Sequence, residues 1–428
     1  MTDTIYALSS GSPPAAIAII RISGREADAA LIALSGRLPD PRRAALASLR
    51  DPATGELLDD ALVLRFPGPA SATGEDVVEL QLHGGRAVVA AVLSALRSLP
   101  GLREAQPGEF TRRAFEHGRM DLAEAEGLAD LLMAETQSQR RAALALAGGS
   151  LSRVVEQWQE ALLSLAAQLE AAIDFSDEGD VEDAVSLANA PALEKLILEI
   201  DATLARPSAE RLRDGVRVVI AGPPNVGKSS LINILSSRQA AITSAVAGTT
   251  RDLVEAPTAI GGTPFLLIDT AGLRDPGDEV EAIGVERART ALDAADLILW
   301  LGEPAECPDR KRSIIIQSKA DLQGCPRKED VDLRVSAMTG EGLDELVAML
   351  IDRGRALLPQ GGEVATNRRQ RELLRRCAGY LREAKAAHDI IIAAELLRQA
   401  RAALDAITGR AGVEDMLDAL FGRFCIGK

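Results

Sequence analysis

Residues 216–237, VRVVIAGPPNVGKSSLINILSS, decide the fold of the central part of the chain. The apolar run 216–221 has the length and composition of a buried strand, and the apolar spacing after Lys228 is helical. Between them, Gly222 to Ser229 matches G-x-x-x-x-G-K-S, a pattern that wraps phosphates in backbone N–H groups at a helix N-terminus. Its lysine reaches the β- and γ-phosphates, and its serine hydroxyl binds Mg²⁺. The stretch therefore predicts an α/β domain that binds a nucleotide.

Four further blocks follow the phosphate loop in a fixed order: Gly248–Asp252, Asp269–Gly272, Ser318–Asp321 and Val335–Met338. Together the five blocks resemble the P-loop, switch I, switch II, base-specificity and Ser-Ala loops of the translation-factor-type GTPases. In that resemblance Asp321 reads guanine by accepting hydrogen bonds from N1–H and from the exocyclic amine, which adenine cannot supply. The blocks therefore favour GTP over ATP.

Two of these blocks depart from the usual pattern. The base-specificity block is usually N-K-x-D, and Ser318 stands where asparagine is expected. In Ras-like proteins a glutamine near switch II orients the attacking water, but here Leu273 and Arg274 follow the glycine. The acidic run 278–281, DEVE, is the available source of a water-orienting carboxylate. The alternative is that this run is only the solvent-exposed start of a helix, since acidic residues are favoured at helix N-termini.

The texture of the sequence predicts an α/β and all-α multidomain protein in which a Ras-like P-loop G domain is inserted into a helical domain. Short β-rich runs alternate with helical patterns at first; from Asp121 the sequence is Ala/Leu/Glu-rich at helical spacing, interrupted only by Gly148-Gly149. We expect an N-terminal α/β domain (1–118), two helical parts that pack together (119–212 and 358–428, the latter ending in CIGK), and the G domain (213–357).

Composition narrows the classes of partner. Lys and Arg total 48 against 63 Asp and Glu, so the net charge is −15, which on average repels nucleic acid and anionic membrane. The four cysteines are scattered, without metal or disulfide spacing. No run approaches the roughly 20 apolar residues of a membrane span. We expect a cytoplasmic protein with no membrane association.

Segments along the whole chain resemble the MnmE (TrmE) family of tRNA modification GTPases. In the G domain these are GPPNVGKSSLINIL, ITSAVAGTTRDLVEA and DTAGLRDPGDEVEAIGVERA. The flanks add FPGPASATGEDVVELQLHGG, QPGEFTRRAFEHGRMDLAEAEGLADLL and the terminal FCIGK. Because ordinary small GTPases have neither these flanks nor this tail, the combination is specific.

The resemblance implies a homodimer joined through the N-terminal domains, with G domains that hydrolyse GTP in a K⁺-stimulated way. The implied Mg²⁺ ligands are Ser229 and Thr250, and the implied K⁺ ligands are Asn225, Ser244, Val246 and Thr249. The candidate catalytic residues are Lys228, Arg251, Arg274, Glu281 and Cys425. The candidate nucleotide-binding residues are Asn225, Val226, Gly227, Lys228, Ser229, Ser230, Ser244, Thr249, Thr250, Asp269, Thr270, Ala271, Gly272, Lys319, Asp321, Ser336, Ala337 and Met338.

The resemblance also implies that the N-terminal domain binds 5-formyltetrahydrofolate, or a related tetrahydrofolate, as a one-carbon donor. The positions that match the folate contacts of the family are Arg21, Glu79, Arg119 and Lys428. Arg119 stands where lysine is more usual, which keeps the charge but changes the donor geometry. The loop SGSPPAAIAII replaces the usual glycine-rich loop after the first Pro-Pro.

The implied function is the addition of a (carboxymethyl)aminomethyl group to C5 of the wobble uridine of tRNA. An FAD protein of the MnmG (GidA) type would supply the redox chemistry, forming a heterotetramer with this chain. The alternative is a regulatory GTPase switch of the ribosome-assembly type, without modification activity. Arginines at 368–376, 140–141 and 211–213 form either a basic face for tRNA or an ordinary solvated helix surface.

Overall fold

The computed structural model describes most of the chain. The described residues are 3–174, 191–237, 255–270, 281–322, 328–359, 364–410, 417, 420–422 and 424–427. The chain divides into two compact units. The N-terminal unit comprises Met1–Ala129 and Thr408–Lys428, and the central unit comprises Asp130–Ile407.

The described residues of the N-terminal unit form one six-stranded sheet in the order β3-β4-β5-β2-β1-β6. The strands are β1 (Thr4–Leu8), β2 (Ile17–Ser23), β3 (Ala45–Arg50), β4 (Leu57–Phe66), β5 (Val77–His83) and β6 (Leu102–Glu104). Neighbouring strands are antiparallel, except that β6 runs parallel to β1. The helices are α1 (Ala27–Ser35), α2 (Arg86–Ser98) and α3 (Glu109–Glu116), followed by α4 (Leu122–Leu132).

Along β2 and β5 of this sheet, buried residues alternate with partly exposed ones. Ile20 and Ile22 of β2 and Leu80 of β5 are fully buried and pack with residues of α1 and α2. Arg21 and Glu79 alternate with them and lie opposite each other across β2 and β5. Helices α1 and α2 therefore cover one face. The two charges belong to the other, which we call the outer face; at its β1 side, Phe110 of α3 packs with Ile5 and Ala7.

A buried cluster of charges joins β1, α3 and the segment before β5. The Arg113 side chain is 1% exposed and forms ion pairs with Asp3, Glu75 and Glu109 at 3.0 to 3.1 Å. Arg103 also pairs with Asp3 and Glu109. Its hydrogen bond to Asp3 lowers the pKa of that carboxyl. Burial opposes ionisation of Glu109, but hydrogen bonds from Arg103 and the Gln106 N–H outweigh burial and lower its pKa.

These lowered pKa values make part of the stability of the N-terminal unit dependent on pH. A carboxyl whose folded pKa is depressed stabilises the fold above its unfolded pKa and loses that contribution as pH falls through the folded value. Asp3 and Glu109 both have this sign. The cluster therefore supports the unit at neutral pH and weakens in acid.

The end of the chain folds onto the N-terminal unit. Phe421 and Phe424 pack with Leu122 and neighbouring apolar side chains in one cluster. Ser9 Oγ donates to the Gly427 carbonyl at 2.8 Å. Gly427 has φ +98°, and a Cβ there would lie 2.2 Å from the Leu8 carbonyl oxygen, so this approach requires glycine. The tail thus groups with β1 in space although it is last in sequence.

The central unit contains a second six-stranded sheet, built from described residues in the order β12-β11-β10-β7-β9-β8. The strands are β7 (Val216–Ala221), β8 (Glu255–Ile260), β9 (Thr263–Asp269), β10 (Leu297–Trp300), β11 (Ser313–Gln317) and β12 (Leu333–Arg334). All pairings are parallel except β8 with β9. Its helices are α9 (Lys228–Ser237), α10 (Glu281–Asp293) and α11 (Leu343–Leu357).

Helices cover both faces of this sheet. Val218 and Ile220 pack with Leu231 of α9 and Leu346 of α11, whereas Val219 lies in a separate cluster with residues of α10. Burial on both sides explains why β7 reads as an almost continuous apolar run. The predicted class, an α/β G domain within a chain that also has a helical part, is confirmed.

The remaining helices are α5 (Gln137–Ala147), α6 (Ser150–Asp174), α7 (Pro191–Ala205), α8 (Glu210–Arg213), α12 (Arg368–Ala386) and α13 (Ile390–Thr408). The break expected at Gly148-Gly149 separates α5 from α6. A second break, at 133–136, contradicts the expectation of a single interruption. It arises because Thr136 caps α5 in a capping box with Gln139. In the part of the chain that the structure describes, no helix has the length and hydropathy needed to cross a membrane.

Two arginines of α12, Arg369 and Arg371, donate hydrogen bonds to carbonyls at the ends of other helices. Arg371 donates to the carbonyls of Leu204 and Arg206 at the end of α7, and Arg369 donates to those of Ala406 and Ile407 in α13. Carbonyls at a helix C-terminus lack intrahelical partners, so these guanidinium groups satisfy them. Both guanidinium groups are therefore used in joining α12 to α7 and α13.

We expect replacement of Arg113 by alanine to destabilise the N-terminal unit by about 3 to 5 kcal/mol, because three carboxylates would lose a buried cation. Hydrogen-exchange mass spectrometry of the full chain, followed on peptides from β1 and α3, measures the local loss of protection. The matched control is Arg112→Ala, whose more exposed pair with Glu116 is expected to contribute less than about 1 kcal/mol. Equal protection in the two variants would contradict a stabilising role for the buried cluster.

Candidate nucleotide-binding site

The phosphate loop connects the end of β7 to the start of α9. Gly222 and Gly227 have φ +147° and +100°, and Asn225 has φ +60°. A Cβ on Gly222 would lie 3.0 Å from the Gly302 backbone nitrogen, so the loop passes close to the neighbouring strand end. Positive φ at these three positions produces the tight turn that aims backbone N–H groups at one point. The helix begins at Lys228, so its N-terminus adds a positive partial charge there.

Lys228, Ser229 and Asp269 form the polar corner at the base of this loop. Lys228 Nζ donates to the carbonyls of Gly222 and Pro223 at 3.0 and 2.8 Å, and the residue is 5% exposed. Ser229 Oγ donates to Asp269 Oδ2 at 2.7 Å. Because Asp269 pairs with Ile220 across β9 and β7, the sheet register brings the carboxylate to the helix start. The Ser229 hydroxyl and the Asp269 carboxylate are hard oxygen ligands of the kind that Mg²⁺ prefers.

Thr270, also predicted to bind nucleotide, follows Asp269 and makes a hydrogen bond between strands. Its hydroxyl donates to the Ile220 carbonyl at 2.9 Å, and the residue is 8% exposed. The side chain thus joins the end of β9 to β7. Ser230, also predicted to bind nucleotide, is exposed in the first turn of α9.

The base-specificity block and the Ser-Ala block meet at Asp321. Ser336 is fully buried, and its hydroxyl donates to Asp321 Oδ1 at 2.6 Å while accepting from the N–H groups of Met338 and Thr339. This bond from Ser336 is the main cause of a lowered pKa at Asp321. The carboxylate is therefore ionised at neutral pH, and the residue is exposed. Ala337 connects the serine to Met338, which is 87% exposed.

The base-specificity block also contacts the phosphate loop directly. Ser318 Oγ donates to the Val226 carbonyl at 2.6 Å, and Lys319 Nζ donates to the Asn225 carbonyl at 2.7 Å. In the sequence, Ser318 is a departure from N-K-x-D that was expected to substitute in part for the asparagine, and its bond to the phosphate loop was not predicted. The one signal that pointed to it was that departure.

Several predicted site residues lie outside the described residues. They are Ser244, Val246, Thr249, Thr250, Arg251, Ala271, Gly272, Arg274 and Lys428. Glu281 is the first residue of α10, but its side chain is outside the description. The roles assigned to these residues remain predictions.

In the N-terminal unit, two of the predicted folate residues pair with each other. Arg21 Nη2 and Glu79 Oε1 are 2.8 Å apart, and the Arg21 guanidinium carbon lies 5.8 Å from the centre of the Phe110 ring. Arg119 Nε donates to the Ser71 carbonyl at 3.1 Å. The two sets are on different elements, β2 and β5 for the pair and the segment after α3 for Arg119.

Cys425 lies in the tail that folds onto the N-terminal unit. Its side chain is exposed, and its carbonyl accepts a long hydrogen bond of 3.5 Å from the Gly108 N–H. The contacts of this residue are therefore made by its backbone, and the thiol is accessible. Its catalytic role stays a prediction.

Two family models match the chain. The model described as "GTP-binding protein TrmE N-terminus" matches residues 4–119, and the model described as "MnmE helical domain" matches residues 122–425. The second match alone extends over more than half of the chain. The two matches meet between residues 119 and 122, where the texture of the sequence changes.

Similar proteins extend over the full length. The chain is 59% identical to "tRNA modification GTPase MnmE" of Erythrobacter litoralis, over 100% of both chains. It is 56% identical to the protein of the same name from Novosphingobium aromaticivorans, again over 100% of both. The G domain of the T. maritima FeoB iron transporter matches 32% of this chain and 98% of its own, at 26% identity and a TM-score of 0.23, which is too low to support an inference. The full-length identities and the two models show that this chain belongs to the MnmE family of tRNA modification GTPases.

Proposed function

We propose that this chain is a K⁺-stimulated GTP hydrolase that modifies the wobble uridine of tRNA. Together with an FAD protein of the MnmG (GidA) type it would add a (carboxymethyl)aminomethyl group at C5, using the one-carbon unit of a formyl-tetrahydrofolate. The observation that carries the proposal is the 59% identity, over 100% of both chains, to a tRNA modification GTPase. Since tRNA is the substrate, we place the reaction in the cytoplasm.

The nucleotide site fits GTP with Mg²⁺. Asp321, ionised and exposed, would accept guanine N1–H and the exocyclic amine, which selects against adenine. Lys228 would move its three donors from loop carbonyls to the β- and γ-phosphates. The Ser229 hydroxyl, beside Asp269, and Thr250 of switch I would hold the Mg²⁺, which neutralises developing phosphate charge.

Hydrolysis needs a positioned water and stabilisation of charge. The water oxygen bonds to the γ-phosphorus as the bond to the bridging oxygen of GDP breaks, and the water proton ends on released phosphate. We assign Glu281, at the first position of α10, to orient that water. Lys228, Arg251 and Arg274 are proposed to stabilise phosphate charge, which positioning and electrostatics largely supply in such reactions.

We assign K⁺ to a site formed by residues of the phosphate loop and of switch I. Asn225, whose left-handed conformation places it at the tip of the phosphate loop, would contribute its side-chain oxygen. Ser244, Val246 and Thr249 of switch I would complete the site. A monovalent cation there neutralises charge between the β- and γ-phosphates, as an arginine finger does elsewhere.

The proposed tRNA contact is weak and is delegated largely to the partner protein. The net charge is −15, and both Arg369 and Arg371 of α12 are engaged with helix-end carbonyls. These two basic residues of the helix are therefore engaged in packing rather than in phosphate contacts. The FAD partner supplies redox chemistry, and GTP hydrolysis drives the conformational cycle that orders the steps.

The proposed folate site lies on the outer face of the N-terminal sheet. Glu79, paired with Arg21, presents a carboxylate that can accept N–H donors of a pterin ring. The Arg21 guanidinium, backed by the Phe110 ring, adds a charge for the folate carboxylates. Arg119 and Lys428 are assigned to the same ligand, and Cys425 of the tail is assigned a part in the modification chemistry.

The outer face also supports a homodimer. Leu46 and Leu62 pair across β3 and β4 and are 67% and 38% exposed, and Ile17 of β2 is 58% exposed. Apolar side chains on an open sheet face favour association. We therefore propose a second copy of this chain as the occupant of this face.

Nucleoside mass spectrometry of tRNA from a deletion strain tests the function. We expect the wobble uridines to lack the aminomethyl-type group, and a gene carrying Lys228→Ala to leave them unmodified because the phosphate contact is lost. Thr290→Ala, which removes only a hydroxyl bonded within α10, should restore modification. Unchanged uridines in the deletion strain would reject modification and leave the regulatory switch of the ribosome-assembly type.

GTPase rates in KCl and in NaCl test the cation. We expect hydrolysis to be at least about tenfold faster in K⁺. Asn225→Gly tolerates the left-handed backbone but removes the amide oxygen, so the ratio of the two rates should fall toward one. A ratio that stays at the wild-type value in this variant would exclude Asn225 as a ligand.

Calorimetric titration of the full chain with 5-formyltetrahydrofolate tests the N-terminal site. Arg21→Ala should weaken binding by about tenfold or more, because a charge-assisted contact is lost and Glu79 is left unpaired. Arg43→Ala, at a highly exposed pair with Asp40, is the control and should bind as the wild type does. The regulatory-switch alternative predicts no folate binding by any of these proteins.

Sedimentation velocity tests the homodimer. Leu46→Asp would place an unpaired charge in the apolar interface, and we expect it to shift the protein to monomer. Leu198→Asp, an equally exposed leucine of α7, is the matched control and should leave the dimer intact. A dimer that survives Leu46→Asp would place the interface elsewhere.

A further inference from the structure

Two successive carbonyls of the phosphate loop, those of Asn225 and Val226, are bound by side chains of the base-specificity block. Ser318 Oγ donates to the Val226 carbonyl at 2.6 Å. Lys319 Nζ donates to the Asn225 carbonyl at 2.7 Å. The two loops are separated by 92 residues at the serine contact, so only the sheet brings them together.

A phosphate loop creates the need for such donors. When its N–H groups converge on the phosphates, carbonyls of the same turn point away from the site and must find partners elsewhere. The Val226 side chain packs against the core of the sheet, and its carbonyl is held by Ser318. The loop is therefore held at Val226 on both sides, from the core and from the base-specificity block.

Ser318 differs in role from Asp321, although they are three residues apart. Asp321 takes its hydrogen bond from Ser336 and presents its carboxylate to solvent. Ser318 instead donates its hydroxyl proton to a carbonyl of the phosphate loop. Asp321 therefore selects the base, whereas Ser318 acts on the loop that holds the phosphates.

We propose that Ser318 is a positioning residue for nucleotide binding: its hydroxyl ties the phosphate loop to the base-specificity block before GTP arrives. A preformed loop loses less conformational entropy on binding, so the tie raises affinity without changing which base is chosen. A serine can therefore serve where asparagine is usual, because the Val226 carbonyl needs only one hydrogen-bond donor. The proposal deepens the GTP-binding function and is independent of the tRNA and folate chemistry.

The test compares dissociation of fluorescent GDP from the full-length chain and three variants at position 318. Ser318→Ala removes the donor and should release GDP roughly fivefold to tenfold faster, the factor that one neutral hydrogen bond is worth. Ser318→Thr keeps the hydroxyl and Ser318→Asn supplies an amide donor, so both should stay within about threefold of wild type. Thr290→Ala removes a hydroxyl-to-carbonyl bond elsewhere in the same domain and should release GDP at the wild-type rate.

A second readout separates positioning from base selection. Inosine diphosphate lacks the exocyclic amine that Asp321 reads, so the preference for GDP over it reports on Asp321. We expect Ser318→Ala to weaken both nucleotides equally and keep that preference, and Asp321→Asn to lose it. Release by Ser318→Ala at the wild-type rate, or a lost preference in that variant, overturns the proposal. Neither result would touch the tRNA assay, so failure here is distinguishable from failure of the proposed function.

Discussion

The pairing of β7 with β9 on one side and β10 on the other is the constraint on which the nucleotide site depends. Both pairings are parallel, so the ends of these strands meet at one edge of the sheet. That edge receives the phosphate loop from β7 and Asp269 from β9, and the base-specificity block follows β11 on the side of β10. Ligands in open α/β sheets bind at this edge for the same reason. β7 is buried on both faces, as expected of a central strand in a parallel sheet.

In the N-terminal unit, the sheet presents the paired charges Arg21 and Glu79 on its outer face. Helices α1 and α2 bury the other face, and Arg21 and Glu79 alternate with core residues of the same strands. The buried cluster around Arg113 ties α3 to β1, and Phe110 of that helix lies against the Arg21 guanidinium. Stability of the cluster and placement of the proposed folate residues are therefore linked through one short helix.

Some basic residues of this chain serve helix packing. Arg369 and Arg371, two of the five arginines of 368–376 that suggested a basic face, satisfy carbonyls at the ends of α7 and α13. Burial lowers the pKa of the half-buried Arg371 guanidinium. A count of basic residues on a helix cannot distinguish this use from phosphate binding, because the carbonyl partners come from other helices.

The sequence by itself determined the blocks whose chemistry is local. Gly222 to Ser229 specifies a phosphate loop because positive φ, the helix start and the lysine all lie within eight residues. The break at Gly148-Gly149 was equally local, and the alternation of β-rich and helical patterns along the chain predicted the fold class. Only the tertiary structure decided that Ser318 holds Val226, that Arg371 caps α7, and that the tail packs with the N-terminal unit. A turn is encoded by the dihedral preferences of its own residues. A donor meets an acceptor 92 or 165 positions away only after sheet and helix packing have brought the two together.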